Sequence, residues 1–169
     1  MVRIRISDIS SPRQVALVSA EAEAEVMGKR GIKKNIITVA WHTPLSFEPP
    51  MYAVSIGKTR FSCELIRKSK CFAVNFMPHS LSDKALHCGR NSGQYVNKFR
   101  EFGLEEEESE KIHCPRIKEA LAFLECEVVE EVDAGDHILF VGRVVNMGRK
   151  KEDKRLFHTG GDEFTTTVK

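Results

Sequence analysis

The sequence predicts a mostly β, antiparallel protein that forms a single domain over residues 1–169. Six apolar runs of strand length recur along the chain, each bounded by turn residues, and few helical segments separate them. The last two runs alternate apolar with charged residues, which is typical of a sheet with one face in water. A chain of 169 residues has room for about one domain. The six runs are residues 15–19, 36–41, 51–57, 71–76, 122–129 and 137–145.

Three segments carry a helical pattern. Residues 62–70 and 81–88 each begin near hydroxyl residues that can cap a helix. Residues 94–102 place three apolar side chains on one stripe and end at Gly103, a residue suited to a helix C-terminus. Residues 20–25 are composed of Ala and Glu, which favour a helix, but they alternate with the period of a strand, so both interpretations stay open.

Charge is nearly balanced, with 26 Lys and Arg against 24 Asp and Glu and a net charge of +2. So small a net charge argues against a general nucleic-acid binder. Two charged runs, residues 105–110 and 149–155, are predicted to be solvated loops, the second at a hairpin tip. Residues 1–8 alternate charged and aliphatic side chains, unlike a signal peptide, and no apolar run is long enough to cross a membrane. We therefore expect a cytoplasmic protein that binds neither membrane nor nucleic acid.

Five cysteines stand at positions 63, 71, 88, 114 and 126, an odd number without any Cys-x-x-Cys pair. This pattern favours reduced thiols over a disulfide framework. Two adjacent donor pairs, His87-Cys88 and His113-Cys114, could in principle contribute to a metal site. Their spacing fits no usual zinc or iron–sulfur pattern, so no metal is predicted.

The common nucleotide-binding and hydrolase motifs are absent: Gly-x-Gly-x-x-Gly, the P-loop, Gly-x-Ser-x-Gly and His-Glu-x-x-His. Small and hydroxyl residues instead follow three strands, over residues 35–42, 55–62 and 75–84, and two of these segments lead into helices. With Lys58, Arg60 and Lys84 nearby, such helix starts could hold a phosphate. Ordinary helix caps and surface lysines explain the same pattern, and composition alone leaves both open.

Five short segments carry together a pattern that none of them carries alone. They are Asn35-Ile-Ile-Thr-Val-Ala-Trp41, Pro44-Leu-Ser-Phe-Glu-Pro-Pro50, Val54-Ser-Ile-Gly-Lys-Thr-Arg60, Phe72-Ala-Val-Asn75 and Gly135-Asp-His-Ile-Leu-Phe-Val-Gly-Arg-Val144. In order and spacing they resemble the flavin reductase-like family of FMN-binding split barrels over nearly the whole chain. Within that family the sequence is most similar to archaeal ferric reductases and flavoredoxin-type proteins.

The resemblance implies an antiparallel Greek-key split β-barrel with a few short helices, which dimerises and binds FMN non-covalently near the subunit interface. It also assigns residues 20–25 to a long hairpin whose turn lies near residues 28–31. Ala40-Trp41 replaces the Ser-Ser or Ser-Phe of many members, so contacts at Ala40 are expected to involve the backbone only.

The resemblance further implies which residues contact each cofactor. For FMN they are Thr38, Val39, Ala40, Trp41, Ser55, Ile56, Gly57, Lys58, Arg60, Ser62, Asn75, Ser82, Asp83, Lys84, His87 and the C-terminal aromatic Phe164. For the nicotinamide nucleotide they are Asp136 and His137 of the Gly-Asp-His motif. No side chain is expected to act as a catalytic acid, base or nucleophile, because the flavin carries the chemistry.

The implied function is an FMN-dependent NAD(P)H oxidoreductase. Hydride passes from NADPH or NADH to FMN, and electrons pass on to ferric chelates or free flavin. The alternative is a flavoredoxin-like electron carrier that holds FMN without efficient NAD(P)H turnover. A small nucleic-acid-binding barrel ranks far behind, because it would need exposed aromatics interleaved with a basic stripe.

Overall fold

Twelve strands and four short helices make up the described part of this computed structural model, residues 4–167. Residues 1–3, the start of the stretch examined for a signal peptide, and residues 168–169, where the predicted domain ends, lie outside it. The strands are β1 (Arg13–Gln14), β2 (Ala16–Val26), β3 (Lys29–Val39), β4 (His42–Phe47), β5 (Pro50–Gly57), β6 (Cys71–Phe76), β7 (Glu106–Glu107), β8 (Arg116–Ile117), β9 (Ala122–Ala134), β10 (His137–Arg149), β11 (Phe157–Gly160) and β12 (Glu163–Thr165). The helices are α1 (Ile6–Ile9), α2 (Phe61–Ser69), α3 (Ser82–Arg90) and α4 (Lys98–Glu101).

The main sheet has seven strands in the order β3-β2-β6-β9-β10-β5-β4, and every neighbouring pair is antiparallel. A second sheet, β1-β11-β12, and the short pair β7-β8 complete the structure. The prediction of a mostly β, antiparallel split barrel with few short helices is confirmed.

The alternation of side chains along β2 explains how one strand serves two cores. Ala16 and Val18 face the main core, which strands β5, β6 and β10 and helix α2 also line. Val15, just before the strand, and Leu17 face the opposite way, into a second core under α3 and α4. Because successive side chains of a strand point to opposite faces, the apolar run at residues 15–18 can be buried on both sides.

Residues 20–25 form a strand, as the resemblance implied, and pair with β3 in a hairpin that turns at Met27 and Gly28. Both turn residues have positive φ, 52° and 74°, the conformation that favours glycine. The predicted helix at residues 94–102 is wrong in its length. Only α4 forms there: the Asn97 side chain accepts the backbone N–H of Arg100 and caps a helix that begins at Lys98, four residues later than predicted.

Two interpretations of charged residues also change. Residues 150–156 connect β10 to β11, which do not pair with each other, so the predicted hairpin tip is a crossing connection. Glu125 does not lie on a wet face, because it is fully buried and its carboxylate accepts the backbone N–H groups of Glu110 and Lys111. Arg116 pairs with it at 3.1 Å. Among residues 4–167, no helix has the length and hydropathy needed to span a bilayer.

Candidate functional site

A cleft of about 250 Å³ lies where β3 and β5 end side by side. The Ser55 N–H donates to the Trp41 carbonyl at 2.9 Å, which joins β5 to the connection between β3 and β4. We call this hollow the Trp41 cleft. Its lining comprises Ser7, Ser11, Arg13, Ile37, Thr38, Val39, Ala40, Trp41, Ser55, Ile56, Gly57, Arg60, His137 and His158.

Two aromatic rings form one wall of the cleft. The indole of Trp41 is 37% exposed, and its centroid lies 5.0 Å from that of the His137 imidazole, with the rings tilted by 38°. Trp41 is therefore partly exposed at the cleft rather than buried in the core. Opposite His137, a Cβ on Gly57 would lie 3.7 Å from Nε2 and 3.4 Å from Cγ of Arg60. The missing side chain of Gly57 thus leaves this part of the cleft open.

A carboxylate orients His137. Asp136 Oδ1 lies 2.7 Å from His137 Nδ1, and this hydrogen bond holds the pKa of Asp136 below its usual value. With Nδ1 paired to Asp136, Nε2 is the ring nitrogen that lies toward Gly57. Asp136 itself is exposed and stands outside the lining of the cleft.

The cleft is electropositive. Arg13 and Arg60 line it together with two histidines, and no Asp or Glu is among the lining residues. Arg13 Nε donates to the Ala40 carbonyl at 2.9 Å, so its guanidinium is fixed at the rim. Within residues 4–167 neither arginine has a carboxylate within ion-pair distance. Two unpaired guanidinium groups facing one hollow suit an anion, and a phosphate in particular.

A larger hollow, of about 630 Å³, runs along the β2–β3 hairpin. Its lining alternates Ala with Glu, including Glu21, Glu23 and Glu25. Arg30 and Lys68 also line it, but the three carboxylates outnumber these two cations and Arg30 pairs with Glu23. The smaller Trp41 cleft, with two arginines and no lining carboxylate, therefore suits a phosphate-bearing ligand better.

Nine of the eighteen residues implied for the two cofactors line the Trp41 cleft. They are Thr38, Val39, Ala40, Trp41, Ser55, Ile56, Gly57, Arg60 and His137. The Ala40 carbonyl accepts a hydrogen bond from Arg13 at the rim. Lys58 follows Gly57 but turns away from the cleft, because its ammonium pairs with Asp133 at 2.7 Å.

Ser62 and Asn75 are fully buried, which differs from the cofactor contacts expected of them. The Ser62 hydroxyl accepts from Asn35 Nδ2 at 2.8 Å. The Asn75 amide donates to the Leu17 carbonyl at 3.0 Å and to Ser19 Oγ at 3.2 Å, and its Oδ1 accepts the Ile117 N–H at 2.8 Å. These polar atoms are engaged inside the protein, so their observed role is to join strands and helices.

The expected residues of α3 do not line the cleft, although α3 packs against β3. Thr38 of β3 contacts both, since it lines the cleft and its hydroxyl donates to the Ala85 carbonyl of α3 at 2.5 Å. Lys84 Nζ donates to the Gly103 carbonyl at 2.6 Å, and the His87 ring stacks on Phe102 at 5.4 Å. The cleft lining therefore does not include Ser82, Asp83, Lys84 or His87.

Phe164 reaches the cleft only indirectly. Its ring meets His158 edge-on with centroids 5.8 Å apart, and His158 is the residue that lines the cleft. Five lining residues were not among the predicted ones: Ser7, Ser11, Arg13, Ile37 and His158. Of these, Arg13 and His158 carry groups that can be charged. They belong to β1 and β11, which pair with each other in register, Arg13 opposite His158. No local motif marks either residue, and only the pairing of two distant short strands brings them to the site.

Comparison with known proteins agrees with this architecture. Residues 9–166 match the Flavin reductase like domain. An uncharacterised protein of Archaeoglobus fulgidus is 40% identical over 115 residues, which cover 68% of this chain and 65%, slightly less than two thirds, of that protein. Flavoredoxin from Methanosarcina acetivorans is 27% identical with a TM-score of 0.83, covering 100% of this chain and 92% of that one. An FMN-binding protein from Thermus thermophilus is 26% identical with a TM-score of 0.83, covering 98% and 92% of the two chains. Because the domain match spans nearly the whole sequence, the chain belongs to the flavin reductase-like family.

Proposed function

We propose that this chain binds FMN non-covalently in the Trp41 cleft and acts as an NAD(P)H-dependent reductase whose electron acceptor is a ferric chelate or free flavin. The observation that carries the proposal is a cleft with an exposed tryptophan, no carboxylate among its lining residues, and two guanidinium groups that form no ion pair within residues 4–167. When bound, FMN supplies hydride acceptance from a nicotinamide and delivery of one or two electrons to an acceptor. Membership of the flavin reductase-like family supports the same assignment.

Different residues of the cleft are assigned to the flavin ring and to the phosphate. Backbone at Ala40 and at Gly57 bounds a narrow hollow that a flat ring can enter, and Gly57 keeps it free of a side chain. Arg13 and Arg60 supply charge for the phosphate, and Arg60 also stands at the start of α2, where free backbone N–H groups favour an anion.

His137 is the residue that we assign to the nicotinamide nucleotide. Its Nε2 lies toward the cleft at Gly57, and Asp136, which pairs with Nδ1, acts as a positioning residue. We expect His137→Ala to raise KM for NAD(P)H with little change in FMN affinity. Asp136→Asn replaces a carboxylate, which only accepts hydrogen bonds, with an amide that can also donate one to Nδ1. We therefore expect this variant to shift the pH dependence of KM for NAD(P)H. A purely structural role of Asp136 would leave that pH dependence unchanged.

A second copy of the chain is proposed to complete the site. The cleft of about 250 Å³ is smaller than the ~300–1,000 Å³ usual for drug-sized ligands, and FMN belongs to that size class. One protomer therefore encloses part of the cofactor, and a homodimer can cover the rest. We expect FMN binding and dimer formation to be thermodynamically linked, which sedimentation with and without FMN measures.

Titration with FMN and with riboflavin tests the phosphate assignment. Arg60→Ala would remove hydrogen bonds between the guanidinium group and the phosphate, which are worth about 1.5–3 kcal/mol. We therefore expect this variant to bind FMN roughly 10- to 100-fold more weakly. Riboflavin lacks the phosphate, so its affinity is expected to be unchanged. Arg67→Ala is the matched control, because Arg67 is also on α2 but pairs with Glu131 outside the cleft. Apo-protein that takes up neither flavin would overturn the proposal.

The competing function is that of an electron carrier, which the fold shared with a flavoredoxin favours. Mixing the FMN-loaded protein anaerobically with NADH or NADPH separates the two. Bleaching of the flavin absorbance, followed by sustained turnover with a ferric chelate or free FMN, supports the reductase. Uptake of FMN without bleaching by either nucleotide supports the carrier.

A further inference from the structure

A cluster of three side chains remote from the Trp41 cleft has no part in the function proposed above. Sγ of Cys71 lies 2.9 Å from Sγ of Cys114 and 3.7 Å from either ring nitrogen of His113. Both cysteines are buried, whereas His113 is exposed. We propose that Cys71 and Cys114 form a redox-active dithiol that a peroxide oxidises to a disulfide, clamping the 108–115 segment to strand β6.

The fold fixes both sulfurs before any oxidation. Cys71 is the first residue of β6, directly after Lys70, which ends α2 in the left-handed conformation at φ 55°. Cys114 lies on the 108–115 segment, whose backbone is anchored on the buried carboxylate of Glu125. Sγ of Cys114 also lies 3.3 Å from the Cys71 carbonyl oxygen. Two sulfurs held this close need to move by only about 0.9 Å to reach the bonded distance of ~2.05 Å.

The environment differentiates the two thiols. A hydrogen bond from Cys114, supported by the charge of nearby His113, lowers the pKa of Cys71 to about 6. The same contact and burial raise the pKa of Cys114, so Cys71 carries the negative charge and Cys114 keeps its proton. Burial instead raises the pKa of Cys63, Cys88 and Cys126, and none of these three has a second sulfur at hydrogen-bond distance among the described residues. Thiolate character therefore singles out Cys71 as the nucleophile.

The oxidation balances as two ordinary steps. The Cys71 thiolate attacks hydrogen peroxide, the O–O bond breaks, and Cys71 becomes a sulfenic acid while the released hydroxide takes a proton to form water. Cys114 sulfur then attacks the Cys71 sulfur, the S–O bond breaks, and the second water leaves with the Cys114 proton. In sum, two thiols lose two electrons and two protons, and one peroxide is reduced to two waters. An open crevice of about 350 Å³, lined by Cys71 and His113 among others, gives the oxidant its route.

A metal centre is the other chemistry that such a cluster could support. Among the described residues the cluster contains three ligands, whereas closed structural zinc sites use four. Two thiolates on one tetrahedral zinc stand about 3.8 Å apart, given Zn–S bonds of ~2.3 Å, so the sulfurs would have to separate. The observed distance of 2.9 Å leaves no room for the ion between them. The geometry therefore favours the disulfide.

Thiol counting on the full-length, flavin-loaded protein tests the proposal. After reduction, desalting and addition of one equivalent of hydrogen peroxide, we expect the thiols titrated under denaturing conditions to fall from five to three. Peptide mapping is expected to find one disulfide, between Cys71 and Cys114. Because that bond would close a loop of 43 residues, we also expect Tm to rise by about 10 °C on oxidation and to return on reduction.

Three variants complete the test. Cys63→Ser is the matched control and is expected to form the same disulfide, since Cys63 belongs to no pair. Cys114→Ser removes the resolving thiol, so a sulfenic acid on Cys71 is expected to accumulate and to be trapped by dimedone. If Cys114→Ser does not fold, Cys114→Ala provides the same readout.

Three results would overturn the proposal: a count of five thiols after peroxide, a disulfide between other cysteines, or one equivalent of zinc that survives dialysis and is lost in both Cys71→Ser and Cys114→Ser. The last result would assign a metal centre instead. None of these readouts uses NAD(P)H turnover, so failure of the proposed reductase function leaves the test intact.

Discussion

Asn75 gives the sharpest test of the difference between the role that family resemblance implies and the role that the structure shows. Asn75→Ala deletes two donors and one acceptor that are all engaged inside the protein. The main loss is at Ile117, whose fully buried N–H would keep no side-chain acceptor. A buried polar group left without a partner costs about 1–3 kcal/mol, and each of the two lost donor bonds adds about 0.5–1.5 kcal/mol. The expected destabilisation is roughly 2–4 kcal/mol, allowing for partial relaxation.

Thermal unfolding with and without FMN measures this effect. For a chain of this size the loss corresponds to a fall in Tm of about 5–15 °C. The intrinsic FMN affinity of the folded variant is expected to stay within about twofold of wild type, because Asn75 lines no part of the Trp41 cleft. Asn91→Ala is the matched control: its amide donates to the His87 carbonyl at an exposed helix end, so its Tm is expected to change little. An unchanged Tm with a tenfold weaker FMN affinity for Asn75→Ala would refute the reasoning and restore the ligand role.

Further predictions concern packing, charge and pH. Gly142→Ala is expected to destabilise by about 1–3 kcal/mol in chemical denaturation, because a Cβ there would lie 2.8 Å from two neighbouring side-chain carbons. Gly31→Ala, with nothing within 4 Å, is its control. Glu125→Ala removes the buried acceptor of the Glu110 and Lys111 N–H groups and one of the three carboxylates near Arg116, and we expect a loss of about 1–3 kcal/mol by the same assay. Burial raises the pKa of Cys88 to about 11, above the unfolded value, so its thiol stabilises fully below about pH 8.5 and this contribution is lost as pH rises toward 11. The difference in unfolding free energy between wild type and Cys88→Ala is therefore expected to shrink between pH 7 and pH 10; a constant difference would contradict the assignment.

The strands were the most predictable part of the molecule, because their pattern is local. The run at residues 71–76 is buried on both sides, and its bounds agree with those of β6. The run at residues 122–129 lies within β9, but the sequence did not predict which of its side chains are exposed to solvent. Glu125 is buried there because the 108–115 segment folds over it, a contact between residues whose pairing no short-range pattern records.

In the candidate site, too, local features were predictable and contacts between distant segments were not. Residues whose backbone forms strand ends, such as Ala40 and Gly57, follow directly from the family motif and line the cleft. The roles of polar side chains are harder to carry over from a family motif, since the same residue type can contact a ligand or a buried group of the protein, depending on its surroundings. Asn75 matches the motif, yet its amide joins β6 to β2 and to Ile117. Arg13 shows the reverse case, a cleft residue that no motif contains.

Helix α2 connects the two chemically distinct regions of this protein. Its N-terminus follows Arg60 at the Trp41 cleft, and its C-terminus leads through Lys70 into Cys71. Nine helical residues separate these ends by about 13 Å. Between them, Leu65 and Ile66 are fully buried in the main core. Because this core is close-packed, we expect a shift of less than an ångström at Cys71 not to move the N-terminal end of α2. Forming the Cys71–Cys114 disulfide is therefore expected to stabilise the fold without altering the Trp41 cleft. We expect the reduced and oxidised proteins to bind FMN with equal affinity.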